Sequence, residues 1–169
     1  MKEWDNLLGV NQKIQLVDLA NDPKRIDEVR LLLQEYASSL GVDLCFQNFD
    51  QEMATLPGDY SPPTGALLLA EDQGKAVGCV AFKKIANEVC EMKRLYVRPN
   101  SRGKGVGKLL TETILQKARN FGYKRVRLDT LPSMKEAISM YVSMGFKPIE
   151  AYRYNPVGGT LYLELELSK

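Results

Sequence analysis

The stretch Arg102-Gly103-Lys104-Gly105-Val106-Gly107-Lys108 sets three alternating glycines among basic side chains, after the strand-like run MKRLYV and before an apolar helical pattern. Alternating glycines let a backbone turn tightly and let a ligand approach the peptide groups without meeting Cβ atoms. The first N–H groups of a helix have no internal partner and carry the positive end of the helix dipole. A phosphate or pyrophosphate is the natural occupant of such a turn, and Arg102, Lys104 and Lys108 add long-range attraction. Spacing excludes two common phosphate loops. A P-loop needs glycine five residues before its Gly-Lys pair and Ser or Thr after it; Arg102 and Leu109 stand there instead. A dinucleotide fingerprint needs GxGxxG, whereas the third glycine falls at position 107. The plainer reading of the glycines is a turn and nothing more.

Composition removes other chemistry. With no histidine in the chain, a Ser-His-Asp triad, a Cys-His pair and His-based zinc catalysis are all ruled out, so protons must move through Glu, Asp, Tyr, Lys, Cys or water. Cys45, Cys79 and Cys90 lack CxxC spacing and lie in apolar surroundings; they read as buried thiols, with no disulfide set and no metal site. A net charge of +2 is too small for bulk nucleic-acid binding, and the basic residues between Lys93 and Lys108 make a focused anion site at most. There is no apolar run of membrane-spanning length, and MKEWDNLLGV lacks the pattern of a secretory signal. The chain reads as cytoplasmic, with neither membrane nor nucleic acid as partner.

The elements that must position these residues emerge from periodicity. A strand is expected at Ile14 to Leu19, then a helix of about four turns with Asp22 at its N-cap, Pro23 at its first position and Gly41 at its end. A short helix around Phe49 to Leu56 precedes the loop PGDYSPPTG, which covers a site or merely connects. Three strands, GALLLAEDQ, KAVGCVAFKKI and EVCEMKRLYV, form an antiparallel meander. The glycine stretch opens a helix whose face is Val106, Leu109, Leu110, Thr113, Ile114, Ala118 and Phe121, ended by Gly122. The strand RVRLDT comes next, then a helix with Ser133 and Glu136 as capping box and Gly145 as C-cap, the short strand FKPI, the loop YRYNPVGG and the last strand TLYLELEL. At 169 residues with 44% hydrophobic content, one domain over 14–169 is expected, with 1–13 as an extension. The order is that of an α/β fold: a mixed central β-sheet flanked by about four α-helices.

The pattern Arg102-x-x-Gly105-x-Gly107 after a strand resembles the acyl-CoA-binding motif of the GNAT superfamily of N-acetyltransferases. The segment AISMYVSMGF is similar to that family's Ala-x-x-x-Tyr-x-x-x-Gly-Phe, with Tyr141 and Gly145-Phe146 in place, and the element order fits from about Ile14 to the end. The resemblance implies a GNAT-like fold and acetyl transfer from acetyl-CoA, as co-substrate and with no metal, to a primary amine by direct attack. It implies that the pyrophosphate rests on the N–H groups of Arg102, Gly103, Lys104, Gly105, Val106, Gly107 and Lys108, and that the pantetheine arm pairs with the backbone of Leu95, Tyr96 and Val97. A backbone N–H there would receive the thioester oxygen as it gains charge.

An alkyl ammonium has a pKa of about 10.4, so a base is needed. The resemblance points to Glu91, acting through water, and strand alternation sets it on one face with Lys93, Leu95 and Val97; the plainer reading is a salt-bridged strand residue. Tyr141 is the candidate acid, or else a core aromatic. Many relatives carry an Asn near the start of the tyrosine helix that touches the CoA arm, and Met134 stands at that position here.

The acceptor is less legible. Arg153, flanked by Tyr152 and Tyr154, can hold a substrate carboxylate bidentately or be a surface arginine beside turn aromatics. A small amine or amino-acid derivative is favoured over a protein N-terminus or lysine. A non-catalytic acyl-CoA sensor would share every cradle residue, and a monomer or homodimer is expected.

Overall fold

The computed structural model describes residues 14–45 and 48–168, and the expected order of elements is the order found. The expected N-terminal extension, 1–13, lies outside the described residues. Strand β1 (Ile14–Asp18) is followed by a 3-10 turn from Pro23 and by α1 (Ile26–Leu40), which ends where Gly41 takes φ +67°. Helix α2 (Phe49–Thr55) leads through the proline-rich loop to the meander β2 (Ala66–Asp72), β3 (Lys75–Ala86) and β4 (Val89–Val97). Then come α3 (Val106–Asn120), β5 (Arg125–Thr130), α4 (Lys135–Ser143), β6 (Lys147–Pro148) and β7 (Leu161–Glu166).

The strands make one sheet in the order β1-β2-β3-β4-β5-β7-β6. All neighbours are antiparallel except β4 and β5, which run parallel. The central strands are buried on both faces, which is why β2 reads as an unbroken apolar run. Leu68, Val80, Phe82 and Met92 face Leu110 and Ile114 of α3. Leu67, Leu69, Cys79 and Ala81 face Val29, Leu32 and Leu33 of α1. Each fully buried leucine or valine among them stabilises by about 1.5–3 kcal/mol relative to exposure.

One irregularity decides which side chains of β4 face which helix. In the β3–β4 pairing, Tyr96 lies opposite Cys79 and Lys93 opposite Ala81, leaving Val80 facing both Arg94 and Leu95. This is a β-bulge, and Arg94 sits in it at φ +63°. An inserted residue breaks the two-residue alternation of a strand.

The structure corrects several expectations. Helix α4 begins at Lys135 with Met134 as N-cap and no side-chain cap, so Ser133 and Glu136 form no capping box. Cys45 is exposed, while Cys79 and Cys90 are buried as expected. The buried stripe of α3 includes Thr111 and Leu115 in place of Leu109 and Thr113, because the helix turns its face slightly against the sheet. No helix among the described residues is long and apolar enough to cross a membrane.

Gly78 allows the end of β4 to approach β3: a Cβ there would lie 2.7 Å from the Tyr96 carbonyl oxygen and 3.2 Å from Leu110 Cδ1. Gly78→Ala is therefore expected to destabilise by about 1–3 kcal/mol, read as a fall of roughly 3–10 °C in the thermal midpoint. An unchanged midpoint would mean that the strand pair yields freely at this point.

Candidate active site

The glycine stretch is built as a cradle. The Arg98 N–H donates to the Val77 carbonyl at 2.8 Å, closing β4, and a 3-10 turn over Pro99–Ser101 redirects the chain to α3. Gly103 and Gly105 take φ +76° and +81°, and a Cβ on either would enter open space. Their hydrogen side chains are required by backbone conformation and not by crowding. The Leu109 N–H makes the first intrahelical bond, to the Gly105 carbonyl at 3.0 Å. Among the described residues the N–H groups of Val106, Gly107 and Lys108, in the first turn of α3, have no backbone acceptor, which leaves donors free at the positive end of the helix. Arg102 turns back, its Nε donating to the Val97 carbonyl at 2.9 Å and its guanidinium lying 5.9 Å from the Tyr96 ring. Lys104 and Lys108 remain exposed at the rim.

Beside the cradle the sheet splits. Strand β4 pairs with β5 only from Val89 to Glu91, opposite Arg125 to Arg127. Beyond Glu91 the edge of β4 that carries Leu95, Tyr96 and Val97 has no β5 partner among the described residues, although Tyr96 and Val97 stay paired with β3 on the other side. Helix α4 brings Met134 and Tyr141 to the same region. The Met134 sulfur accepts from the Thr130 hydroxyl at 3.7 Å. Tyr141 is buried against Phe146, ring centroids 5.5 Å apart. Its hydroxyl has no hydrogen-bond partner among the described residues, and none of their fully enclosed side-chain oxygens lacks one, so the phenol oxygen is not fully enclosed. Burial holds its pKa well above the ordinary phenol value.

The bulge moves Glu91 away from the place that alternation assigned to it. Leu95 and Val97 pack toward α3, whereas Tyr96 packs toward α1. Glu91 lies on the α1 side with Lys93, not on the face of Leu95 and Val97, and it is wholly buried. Its carboxylate accepts from the Tyr152 hydroxyl at 2.6 Å and from Arg153 Nη1 at 3.1 Å, with Lys93 Nζ 3.7 Å away. Arg153 also clamps Asp129 of β5, at 2.8 and 3.3 Å, and Asn155 adds a bond to the same carboxylate at 3.2 Å. The fork expected to hold a substrate carboxylate is thus filled by the chain's own acids. Tyr154, expected beside it, is 78% exposed.

A second buried pair underlies the bulge. Arg94 donates to Glu52 of α2 through Nε at 2.8 Å and Nη2 at 3.2 Å, and the Tyr60 hydroxyl donates to Glu52 at 2.8 Å. Burial alone would raise the Glu52 and Asp129 carboxyls, but the arginine bonds outweigh it and hold both below the usual range. Lys93 is pulled down to about 8 by burial and by the charge of Arg94. A cleft of about 320 Å³ opens over Glu52 and Tyr60. A second, of about 220 Å³, is lined by Glu91, Arg127, Tyr152 and Arg153, and Lys83 borders both.

Asp129, Glu52 and Lys83 were not singled out from the sequence, and Lys93 only as one of the clustered bases. An acid in the strand RVRLDT was a usable signal, since a carboxylate on a central strand needs a partner. Nothing local announces that Glu52 reaches Arg94, 42 positions away.

Comparison with known proteins gives concordant results. A sequence model of the acetyltransferase (GNAT) family matches residues 27–146. The chain is 45% identical over 149 residues to an uncharacterised N-acetyltransferase of Schizosaccharomyces pombe, covering 87% of this chain and 91% of that one. Its fold is similar to that of an acetyltransferase from Streptococcus agalactiae, with a TM-score of 0.74, 22% identity and coverage of 92% and 99%. It is also similar to the PaiA N-acetyltransferase of Thermoplasma acidophilum in complex with coenzyme A, with a TM-score of 0.67, 20% identity and coverage of 90% and 98%.

Removing one member of a buried pair leaves an uncompensated charge. Arg94→Met is expected to cost about 3–5 kcal/mol in urea unfolding, with much of the loss restored by adding Glu52→Leu; equal losses in single and double variants would contradict this. The depressed Asp129 carboxyl contributes stability above its unfolded pKa of about 3.9 that is lost as pH falls through the lower folded value. Asp129→Asn should flatten the fall in stability below about pH 4, measured by unfolding at pH 6 and pH 3.

Proposed function

The chain belongs to the GNAT family of acetyl-CoA-dependent N-acetyltransferases, and from that premise we propose that it moves the acetyl group to a primary amine of a small molecule or amino-acid derivative. The observation that carries the reading is the row of backbone donors at the start of α3, which opens onto the unpaired edge of β4. In this proposal residues 14–169 act as one catalytic domain. The pyrophosphate of the co-substrate takes the N–H groups of Gly103 to Lys108, with Lys104 and Lys108 at the rim and Arg102 bracing the loop. The pantetheine arm fills the missing place beside Leu95, Tyr96 and Val97, and Met134 packs against it. A backbone N–H just after the bulge receives the thioester oxygen as it gains charge.

The amine arrives from the α1–α2 face. Its nitrogen forms the new bond to the acetyl carbon as the carbon–sulfur bond breaks. Glu91 takes the proton from the ammonium through a chain of waters running along β4 toward the bulge, while Tyr152 and Arg153 fix the carboxylate. Tyr141 gives a proton to the departing sulfur. The raised pKa keeps this phenol protonated at working pH but also makes it a weaker proton donor to the departing thiolate. A thiol of pKa about 8.5 is already a tolerable leaving group, so this contribution has a ceiling.

Thermal unfolding with acetyl-CoA at a hundred times its dissociation constant should show about 2.7 kcal/mol of added stability. Failure of both acetyl-CoA and CoA to shift the midpoint would refute the cradle. Tyr141→Phe is expected to slow thiol release roughly ten- to a thousandfold while leaving the acetyl-CoA shift intact; wild-type turnover would remove Tyr141 from the mechanism.

A further inference from the structure

Lys83, Glu91 and Arg127 are direct neighbours across β3, β4 and β5. Directly paired strand residues point to the same face, so a row of alternating charge crosses the sheet there, continued by Glu164, which pairs with Arg127 at 2.6 Å. Above this row lies the cleft of about 220 Å³. Its wall carries three cations, Lys83, Arg127 and Arg153, against one carboxylate, Glu91. Glu91 is engaged by Arg153 and Tyr152. Arg127 uses only its Nε on Glu164, and among the described residues its two terminal nitrogens have no partner. Lys83 has no carboxylate within ion-pair distance among the described residues. The Tyr152 ring lies 5.6 Å from the Arg127 guanidinium and 5.8 Å from that of Arg153, fixing both. Two cations with spare donors, on the strands that flank β4 and beside an aromatic ring, are groups of the kind that recognise a carboxylate or phosphate.

We propose that this cleft is the specificity subsite of the acceptor, and that the acceptor is a linear amine bearing a carboxylate or phosphate held between Lys83 and Arg127. The proposal rests on the acetyl-transfer reading and adds a length to it. Lys83 and Arg127 lie level with Glu91, three residues before the bulge at Arg94. At the rise of a strand, that places the anion about 10 Å from the reacting nitrogen. An α-amino acid, whose amine and carboxylate share one carbon, is too short to reach both. An ω-amino acid of about eight carbons, or the N-terminal amine of a peptide about three residues long, spans the distance.

The probes are 8-aminooctanoate, 6-aminohexyl phosphate, octylamine and glycine, tested with saturating acetyl-CoA by thiol release. Wild-type enzyme should favour the two anionic long amines over octylamine by about ten- to a hundredfold in kcat/KM, with glycine the poorest. Lys83→Ala should erase most of that preference by raising KM for the anionic amines at least tenfold more than KM for octylamine, and Lys83→Glu should reverse it. Preference for only one of the two anions identifies the carboxylate or the phosphate as the natural group. Equal use of octylamine and the anionic amines, or equal losses for both in Lys83→Ala, overturns the subsite. Should no amine release thiol while acetyl-CoA still raises the unfolding midpoint, the acetyl-transfer reading falls by itself. The subsite is then read by calorimetric binding of 8-aminooctanoate in the presence of CoA: binding that weakens at least tenfold in Lys83→Ala upholds it, and no binding overturns it.

Discussion

The arrangement of this molecule hangs on Arg94. A non-glycine residue at φ +63° in the middle of a central strand costs on the order of 1–3 kcal/mol. The cost is offset because the side chain that leaves the strand there is a buried guanidinium meeting Glu52 through two bonds, each charge-assisted bond contributing about 1.5–3 kcal/mol. Glu52 comes from α2 and is itself steadied by Tyr60 of the following loop. The proline-rich segment is therefore a structural brace for the bulge as well as a connection. Without the extra residue, Leu95 and Val97 would share a face with Glu91. With it, the first two face α3 and the third faces the α1 side.

That division separates two kinds of recognition. On the α3 side the donors belong to the backbone, arranged by two left-handed glycines and a helix start, and they suit an invariant ligand. On the α1 side the groups are side chains drawn from β3, β4, β5, α2 and the loop before β7. Glu91, Asp129 and Glu52 are matched there by Lys93, Arg94 and Arg153. A buried cluster with balanced charge tolerates desolvation only while every member is held, and its rigidity is what keeps the neighbouring surplus cations, Lys83 and Arg127, in fixed positions.

The turn into α3 was legible because its physics is local: alternating glycines, a preceding strand and a following apolar stripe lie within one short stretch. The order of elements was legible for the same reason. The face of Glu91 was not, since alternation holds only for a regular strand and no residue type in MKRLYV marks the bulge. The engagement of Arg153 was not legible: the sequence suggested a fork for a substrate carboxylate or a surface arginine, but the carboxylate it grips, that of Asp129, sits 24 positions earlier, and only the antiparallel pairing of β5 with β7 brings the loop over it. The missing capping box of α4 shows a local rule overruled by the need to seat Met134 against Thr130.

The electrostatics of the acceptor face also bear on how an amine loses its proton. Lys93 stands next to the bulge, and burial together with the charge of Arg94 brings it to about 8. An alkyl ammonium entering the same surroundings would be pushed in the same direction, toward the neutral amine that attacks. In the acetyl-transfer reading proposed above, this effect shares the work of deprotonation with Glu91, whose carboxylate is already tied to Tyr152 and Arg153. A strong, exposed base would be worse placed here, because it would stabilise the ammonium that the reaction must discharge.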